Sequence, residues 1–335
     1  MSGDERIVNY NSMSARIKTG IASLLLLQSI LSIANFANAQ DAPLPYSLGT
    51  LPSVASDFDT HAQIRFARAR AIDMPVRFSL AEDLPPIANQ GGTGSCVGWS
   101  TAYYCYSSSI ARQRKLSPEE RKDPKFLFSP AFIWHQYNNG DKEKGMRIFQ
   151  AFDVLEKQGC CTFAEMPWDE KDVLTQPDEK AKKRASKYKA RQTVALFKGK
   201  LLGEDDVDPA KLRTWLWEVK KPFVMAIPVY QSFFKAPSDP NYVYDLPTDP
   251  GKNFGLHAVT VVGYDSDKKA FLMVNSWSEK WGNKGFLWLS EDFIKNNALE
   301  AWGQRPGGPV ARDPKNAEVA LTPNITLIPA VKANK

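Results

Sequence analysis

The chain has 335 residues, 43% hydrophobic and 24% charged, with a formal net charge of +6. That composition fits a globular protein with enough chain to bury a full core in one large domain or two small ones. The positive excess is mild and comes with no nucleic-acid-binding motif or aromatic interleaving, which sets nucleic acid aside as a partner.

In chain order, the first segment stands apart. Arg16 and Lys18 precede the apolar run "GIASLLLLQSILSIANFA", and "ANAQ" places small Ala37 and Ala39 before a cut. Residues 1–39 therefore read as a signal peptide removed near Ala39, which puts the rest of the chain in the periplasm or outside the cell. The competing reading is an uncleaved membrane anchor. Against it, the run falls short of about 20 residues and is interrupted by Gln28, Ser29 and Ser32. No later segment is apolar enough to span a bilayer, so no stable membrane insertion is expected after cleavage. Export would also allow the four cysteines to pair.

Residues 40–75 hold scattered prolines and an arginine-rich piece without long periodicity, and read as a short leader arm. From Cys96 to about residue 113 the chain is a candidate helix. Ser129 and Pro130 offer an N-cap and a first-turn proline for "AFIWHQYN", and "MRIFQAFDVLEKQG" sets Ile148, Phe149, Phe152 and Leu155 on one face before Gly159. The lysine-rich stretch 179–192 has few apolar anchors and reads as a solvated helical face or surface excursion. Another helix is expected from Asp208-Pro209 through "AKLRTWLWEVK". Strand-like runs then follow: "PFVMAIPVY", "HAVTVVGYD", "AFLMVNSW" and "GFLWLS". Helices first and strands second predict an α+β fold, a helical lobe followed by an antiparallel sheet lobe, with a cleft between them. The proline-rich tail from residue 306 to 335 is expected to be loosely ordered.

The chemistry concentrates around a hairpin. "DSDKK" separates two strand-like runs, and a turn centred near Ser266 would set His257 opposite Asn275, where a carboxamide can fix the ring's orientation and tautomer. Trp277 and Trp281 follow closely and could exclude water from that bond. His61, in the leader, and His135, in a helix, read as structural. Cys96 opens a helix, where unpaired N–H groups and the helix dipole favour a thiolate, and a neighbouring imidazolium lowers the thiol pKa further. The Cys96 backbone N–H and the side-chain amide of Gln90, one glycine-rich turn upstream, can serve as oxyanion donors.

These pieces, in this order, resemble the papain-like cysteine peptidases. "NQGGTGSCVGWS" is similar to that family's glutamine-to-nucleophile motif, "LHAVTVVGYD" to its histidine strand, and "VNSWSEKWGNKGFLWLS" to its asparagine-tryptophan segment. The resemblance covers roughly residues 75–302. It implies a two-lobe domain over 76–305, with Gln90 as oxyanion glutamine, Cys96 as nucleophile, His257 as base and Asn275 as orienting amide. It implies no cofactor and a peptide or protein substrate, with the protein a monomer; no metal site is expected, because the cysteines and histidines lack ligand spacing.

Two departures stand out. Thr93 and Val97 occupy positions where the family signature has a cysteine and an aromatic residue, so the usual disulfide from the first position cannot form. The interval from Cys96 to His257 also exceeds the roughly 130–150 residues of the signature, which an insertion in the lysine-rich stretch accounts for. The leader is too short for a long inhibitory propeptide, and residues 40–75 are expected to lie along the cleft as a short cover. Cys105 is expected to point away from the site, as a buried thiol or in a disulfide with Cys160 or Cys161. The leading functional expectation is a periplasmic or secreted cysteine endopeptidase. Acyl transfer or amidase chemistry on cell-wall peptides, and a non-catalytic binding module on the same fold, are the alternatives.

Overall fold

The computed structural model describes residues 45–66, 74–199, 202, 207–305 and 325–328. The expected signal peptide, the leader's residues 40–44 and 67–73, and the tail apart from 325–328 lie outside the described residues.

Where the sequence carries capping signals, the helices start as expected. After α1 (Ala55–Asp59) the long helix α2 runs through three consecutive segments: Cys96–Gly98, a π-helical stretch Trp99–Tyr106, and Ser107–Arg114. It is buried on every side from Cys96 to Ala111, which is why its sequence shows no single apolar stripe. Its hydroxyls turn back on the helix instead, Ser108 Oγ donating to the Tyr104 carbonyl at 2.6 Å and Ser109 Oγ to that of Cys105 at 2.7 Å. Helix α3 (Pro130–Asn138) starts with Pro130 in its first turn and with Ser129 Oγ accepting from the Phe132 N–H at 3.1 Å. Helix α4 (Ile148–Lys157) buries Ile148, Phe152 and Leu155 and is followed by Gly159 at φ +88°. The lysine-rich stretch forms the short helix α5 (Glu179–Ala185), which buries only Ala181 and Ala185. Asp208 caps α6 (Pro209–Thr214), which continues as a π turn over Trp215–Val219.

The strands are β1 (Ala62–Phe66), β2 (Arg77–Ser79), β3 (Thr193–Lys198), β4 (Phe223–Tyr230), β5 (Val243–Tyr244), β6 (Asn253–Asp265), β7 (Ala270–Val274), β8 (Phe286–Ser290), β9 (Glu300–Gln304) and β10 (Ile325–Ile328). Two short helices, α7 (Gln231–Phe234) and α8 (Glu291–Asn297), follow β4 and β8. The sheet runs β10-β1-β3-β9-β4-β6-β7-β8-β5, with β2 added against β6. Most neighbours are antiparallel, as expected, but β1 with β3 and β5 with β8 are parallel, so the sheet is mixed. In the tail, where loose order is the expectation from sequence, β10 pairs antiparallel with β1 in the leader.

Strand β4 shows how the two lobes meet. Val224 and Ala226 pack with the α2–α4 helices, together with Ala258 and Trp302. Phe223, Met225 and Ile227, on the opposite face, pack with Val259, Val261 and Trp277. The period-2 alternation of a strand thus serves two cores at once. Helix α2 is tied to β6 by two hydroxyls: Ser100 Oγ donates to the Ala258 carbonyl at 2.8 Å, and Thr260 Oγ1 donates to the Ser100 carbonyl at 2.9 Å. Ser100 lies one helical turn beyond Cys96 and Ala258 adjoins His257, so this pair of bonds ties the helix that carries Cys96 to the strand that carries His257.

Candidate active site

The hairpin register differs from the expectation. Asp265 faces Ala270, Tyr264 faces Phe271 and Gly263 faces Leu272, then a bulge at Val262 shifts the ladder so that Val261 faces Met273 and Thr260 faces Val274. The turn, closed by Lys269 at φ +47°, is displaced from Ser266 toward the second strand, and Asn275 lies just past the end of β7 with no ladder partner. The two side chains still meet, because Asn275 reaches diagonally across the end of the hairpin.

Their bond belongs to a continuous chain. His257 Nε2 lies 2.8 Å from Asn275 Oδ1, and that same oxygen accepts the Ser276 backbone N–H at 2.8 Å. A backbone N–H can only donate, so Oδ1 is an acceptor and Nε2 carries the imidazole proton. Nδ1 is left with its lone pair, buried and without a hydrogen-bond partner among the described residues. Trp277 stacks on the imidazole at 4.5 Å and 30°. Beyond Asn275, Ser276 Oγ donates to Gln90 Oε1 at 2.6 Å, and the Gln90 N–H donates to the Ser276 carbonyl at 2.8 Å. Gln90 is thereby clamped from both ends, with its Nε2 amino group turned toward the turn that leads into Cys96. Ser276 has no counterpart among the residues singled out from sequence, and only its position next to Asn275 could have suggested it.

Cys96 begins α2 after a turn built on Thr93 and Ser95, whose hydroxyls lie 2.7 Å apart, while the Gly94 N–H donates to the Lys142 carbonyl at 2.7 Å. Its sulfur lies 3.3 Å from Thr50 Oγ1, in the leader. The whole segment from Tyr46 to Ser53 passes over these residues. Tyr46 stacks on Trp277 at 4.6 Å and 6°. The Ser47 carbonyl accepts from Gln90 Nε2 at 3.1 Å and from Trp277 Nε1 at 3.3 Å. The Gly49 carbonyl accepts from the Met146 N–H at 3.0 Å, Leu51 N–H donates back to the Met146 carbonyl at 3.0 Å, and Thr50 N–H donates to the Leu256 carbonyl at 3.4 Å. Gly49 runs backbone to backbone between Gly94 and Gly145, where a Cβ on Gly49 would stand 2.0 Å from the Gly94 carbonyl oxygen.

Under this segment Cys96 and His257 are both fully buried. Burial pushes the Cys96 thiol above its ordinary range, only partly opposed by Thr50 and nearby backbone groups. Burial pulls His257 down to about 4 against the raising effect of Asn275. Desolvation disfavours both charged forms, so in this state the Cys96 thiol and the His257 imidazole are both neutral.

The remaining cysteines are free thiols and buried. Cys105 donates to the Pro222 carbonyl at 3.4 Å and is pushed up to about 12 by burial, so the disulfide alternative for it does not occur here. His135 Nδ1 bonds the Thr175 carbonyl at 2.6 Å, and His61 Nε2 pairs with Asp153 at 3.1 Å. Among the described residues no cluster of His, Cys, Asp or Glu side chains forms a metal site.

Residues 74–301 match the family model described as papain family cysteine protease. An uncharacterized peptidase C1-like protein of Acanthamoeba polyphaga mimivirus is 24% identical over 221 residues, 64% of this chain and 68% of that protein. A cathepsin L-like proteinase of Phaedon cochleariae is 25% identical over 228 residues, 66% of this chain and 61% of its own length. Among solved structures, xylellain, a cysteine protease from Xylella fastidiosa, is similar with a TM-score of 0.59 at 23% identity, covering 79% of this chain and 98% of its own. Digestive procathepsin L2 from Tenebrio molitor is similar with a TM-score of 0.57 at 18% identity, covering 88% and 95%. Both structural likenesses are of fold.

Proposed function

The chain belongs to the papain family of cysteine proteases, and from that membership we propose an exported endopeptidase, held latent by its own leader, that hydrolyses peptide bonds through Cys96, His257, Asn275 and Gln90. The observation that carries the reading is the hydrogen-bond chain from Gln90 through Ser276 and Asn275 to His257. It leaves Nδ1 of the ring free to take a proton and holds Gln90 at the turn that leads into Cys96, with its Nε2 donating to the Thr93 carbonyl at 2.8 Å.

With the leader displaced and the cleft rehydrated, the thiol proton passes to His257 Nδ1. Asn275 holds the ring, and the helix N-terminus favours the resulting thiolate. The sulfur attacks the substrate carbonyl carbon and the carbonyl π pair moves to oxygen, which the Cys96 N–H and the Gln90 side-chain amide stabilise. Collapse breaks the C–N bond, and His257 gives its proton to the leaving amine, leaving a thioester. Water, deprotonated by His257, then adds to the thioester, expels the thiolate and releases the acid. In the closed form Gln90 Nε2 donates to the Ser47 carbonyl of the leader as well as to the Thr93 carbonyl, and the Thr50 hydroxyl lies on the sulfur, contacts that support the latent reading in both steric and electrostatic terms. Export rests on the residue pattern of positions 1–39.

The test is peptide hydrolysis by the purified protein after limited processing, with Cys96→Ala as the comparison. Hydrolysis that survives Cys96→Ala refutes the assignment, as does a processed protein whose Cys96 reacts with an epoxide-type inhibitor yet cleaves nothing in a peptide library.

A further inference from the structure

The leader is held in two ways. Residues 46–53 touch the cleft mostly through main-chain hydrogen bonds, with the Tyr46 ring, the half-buried Leu48 side chain and the Thr50 hydroxyl added, and Leu51, and Val54 just past Ser53, are 41% and 49% exposed. Residues 55–66 are built into the domain. Phe58, 3% exposed, stacks on Trp302 at 4.9 Å, and Ala62 and Ile64 are buried in the core. Strand β1 lies between β10 and β3, and among the described residues β10 pairs with no other strand. Both β1 and β10 fall outside the matched residues 74–301, so the two ends of the chain extend the family sheet together.

Between the halves sits a pinned joint. The Ser53 N–H donates to Glu300 Oε1 at 3.3 Å, and the other carboxylate oxygen, Oε2, accepts from Trp302 Nε1 at 2.9 Å, so a fully buried carboxylate on β9 seats the chain as it leaves the cleft. Arg147 Nε donates to the Pro52 carbonyl at 3.0 Å and lies 3.7 Å from Asp57, bridging the last residues of one half to the first helix of the other. His61 and Asp153 tie the anchored half to α4.

We propose that the leader is a hinged strap. Residues 46–53 leave the cleft on activation, residues 55–66 stay as a structural strand of the working enzyme, and the hinge lies at Ser53–Val54, seated on Glu300 and Arg147. Loss of the whole leader would strip β10 from the sheet and uncover Trp302, whereas loss of the strap uncovers only the cleft. This inference rests on the reading that the strap blocks a peptidase site at Cys96.

Two full-chain variants test it, each with the recognition sequence of a site-specific serine protease: one between Ser53 and Val54, the other within 67–73. Cutting the first is expected to turn Cys96 from unreactive to stoichiometrically alkylated by iodoacetamide, with little change in melting temperature. Cutting the second is expected to leave Cys96 protected, with the fragment ending in 67–73 co-eluting with the domain on size exclusion. The hinge is overturned if the second cut alone releases that fragment from a folded, alkylated domain, or if the first cut leaves Cys96 protected. A third readout separates this from the functional reading. If the first cut exposes Cys96 but no peptide is hydrolysed, the hinge stands and the peptidase assignment of the site falls. As a check independent of inserted sequence, intact mass of the inhibitor-labelled wild type after ordinary processing is expected to include residues 55–66, and their absence from a folded, labelled species refutes retention.

Discussion

Replacing Gly49 with alanine is expected to open the cleft without any processing. The added Cβ would stand 2.0 Å from the Gly94 carbonyl oxygen and 2.3 Å from its carbon, where non-bonded heavy atoms settle at about 3.5–4.0 Å. Neither atom is at the end of a flexible side chain. Gly94 is held by its N–H to the Lys142 carbonyl at 2.7 Å and is two residues from Cys96, so the strap must move instead. Lifting it by more than an ångström breaks the bonds from Gln90 Nε2 to Ser47, Thr50 to Leu256, Leu51 to Met146 and Met146 to Gly49. Four such bonds at about 1 kcal/mol each come to about 4 kcal/mol, and at 1.4 kcal/mol per decade that is roughly a thousandfold shift in the closed-to-open ratio. Where opening is fast relative to labelling, alkylation of Cys96 follows the open population, so its rate should rise by about two to three orders of magnitude. Gly92→Ala is the control, since nothing lies within 4 Å of a Cβ there. Equal labelling rates for Gly49→Ala and wild type, or equal acceleration by both variants, would show that the glycine passage does not hold the strap.

Thr50→Val keeps the shape of the side chain and removes the hydroxyl 3.3 Å from the Cys96 sulfur; loss of one bond worth about 0.5–1.5 kcal/mol should speed labelling several-fold, far less than Gly49→Ala, as alkylation kinetics will show. In strap-released enzyme, Gln90→Ala is expected to lower kcat by roughly 10²–10³ with KM little changed, and Ser276→Ala, which frees the Gln90 carbonyl oxygen, by less, both read in steady-state kinetics. Phe58→Ala should cost about 3–5 kcal/mol in denaturant unfolding, because the ring lies on Trp302 in the core. His61 supplies a pH dependence. Burial by itself would lower its pKa, but the hydrogen bonds to Asp153 and the Asp57 carbonyl and the Asp153 charge raise it above 6.5. The folded state therefore holds a proton that the unfolded state gives up, and the stabilisation is present below pH 6.5 and lost as pH rises through the folded pKa. Melting curves of wild type and His61→Gln should converge above that window, and a gap that widens with pH would contradict the sign.

The parts of this fold that can be read from sequence are those that depend on side-chain identity. Ser129 with Pro130 and Asp208 with Pro209 announce helix starts because a cap needs a short acceptor and a first turn tolerates proline. Strands β4, β6, β7 and β8 show as dense β-branched and aromatic runs. Strand β9 does not: "EAWGQ" carries Glu300, Gly303 and Gln304, all buried, with Glu300 satisfied by Ser53 and Trp302, partners far away or visible only once folded. Strands β1 and β10 are short and depend on each other, so neither shows in its own segment. The bulge at Val262 is likewise invisible, and it displaces the hairpin register without separating His257 from Asn275, because Asn275 is already beyond the ladder and free to reach across.

The same distinction explains why the candidate catalytic residues stand out one by one, while the cover is legible only as a patternless arm over 40–75 and not as the particular residues that lie on Gln90, Cys96 and Trp277. Nucleophilic chemistry needs a thiol, an imidazole and carboxamides in one place, and few residue types supply them. A strap needs only main-chain donors and acceptors plus room to pass, and the room comes from Gly49, Gly94 and Gly145, three glycines distant in sequence that meet only in the folded chain. A cover held through its backbone constrains few of its own side chains. Within 46–53 the structure gives a specific task to Tyr46 on Trp277, to the absent Cβ of Gly49 and to the Thr50 hydroxyl. Substitutions at exposed Leu51 should therefore leave Cys96 as protected as in the wild type. The same alkylation assay checks this: if Leu51→Ser opened the cleft as Gly49→Ala does, side-chain burial rather than backbone pairing would be what holds the strap.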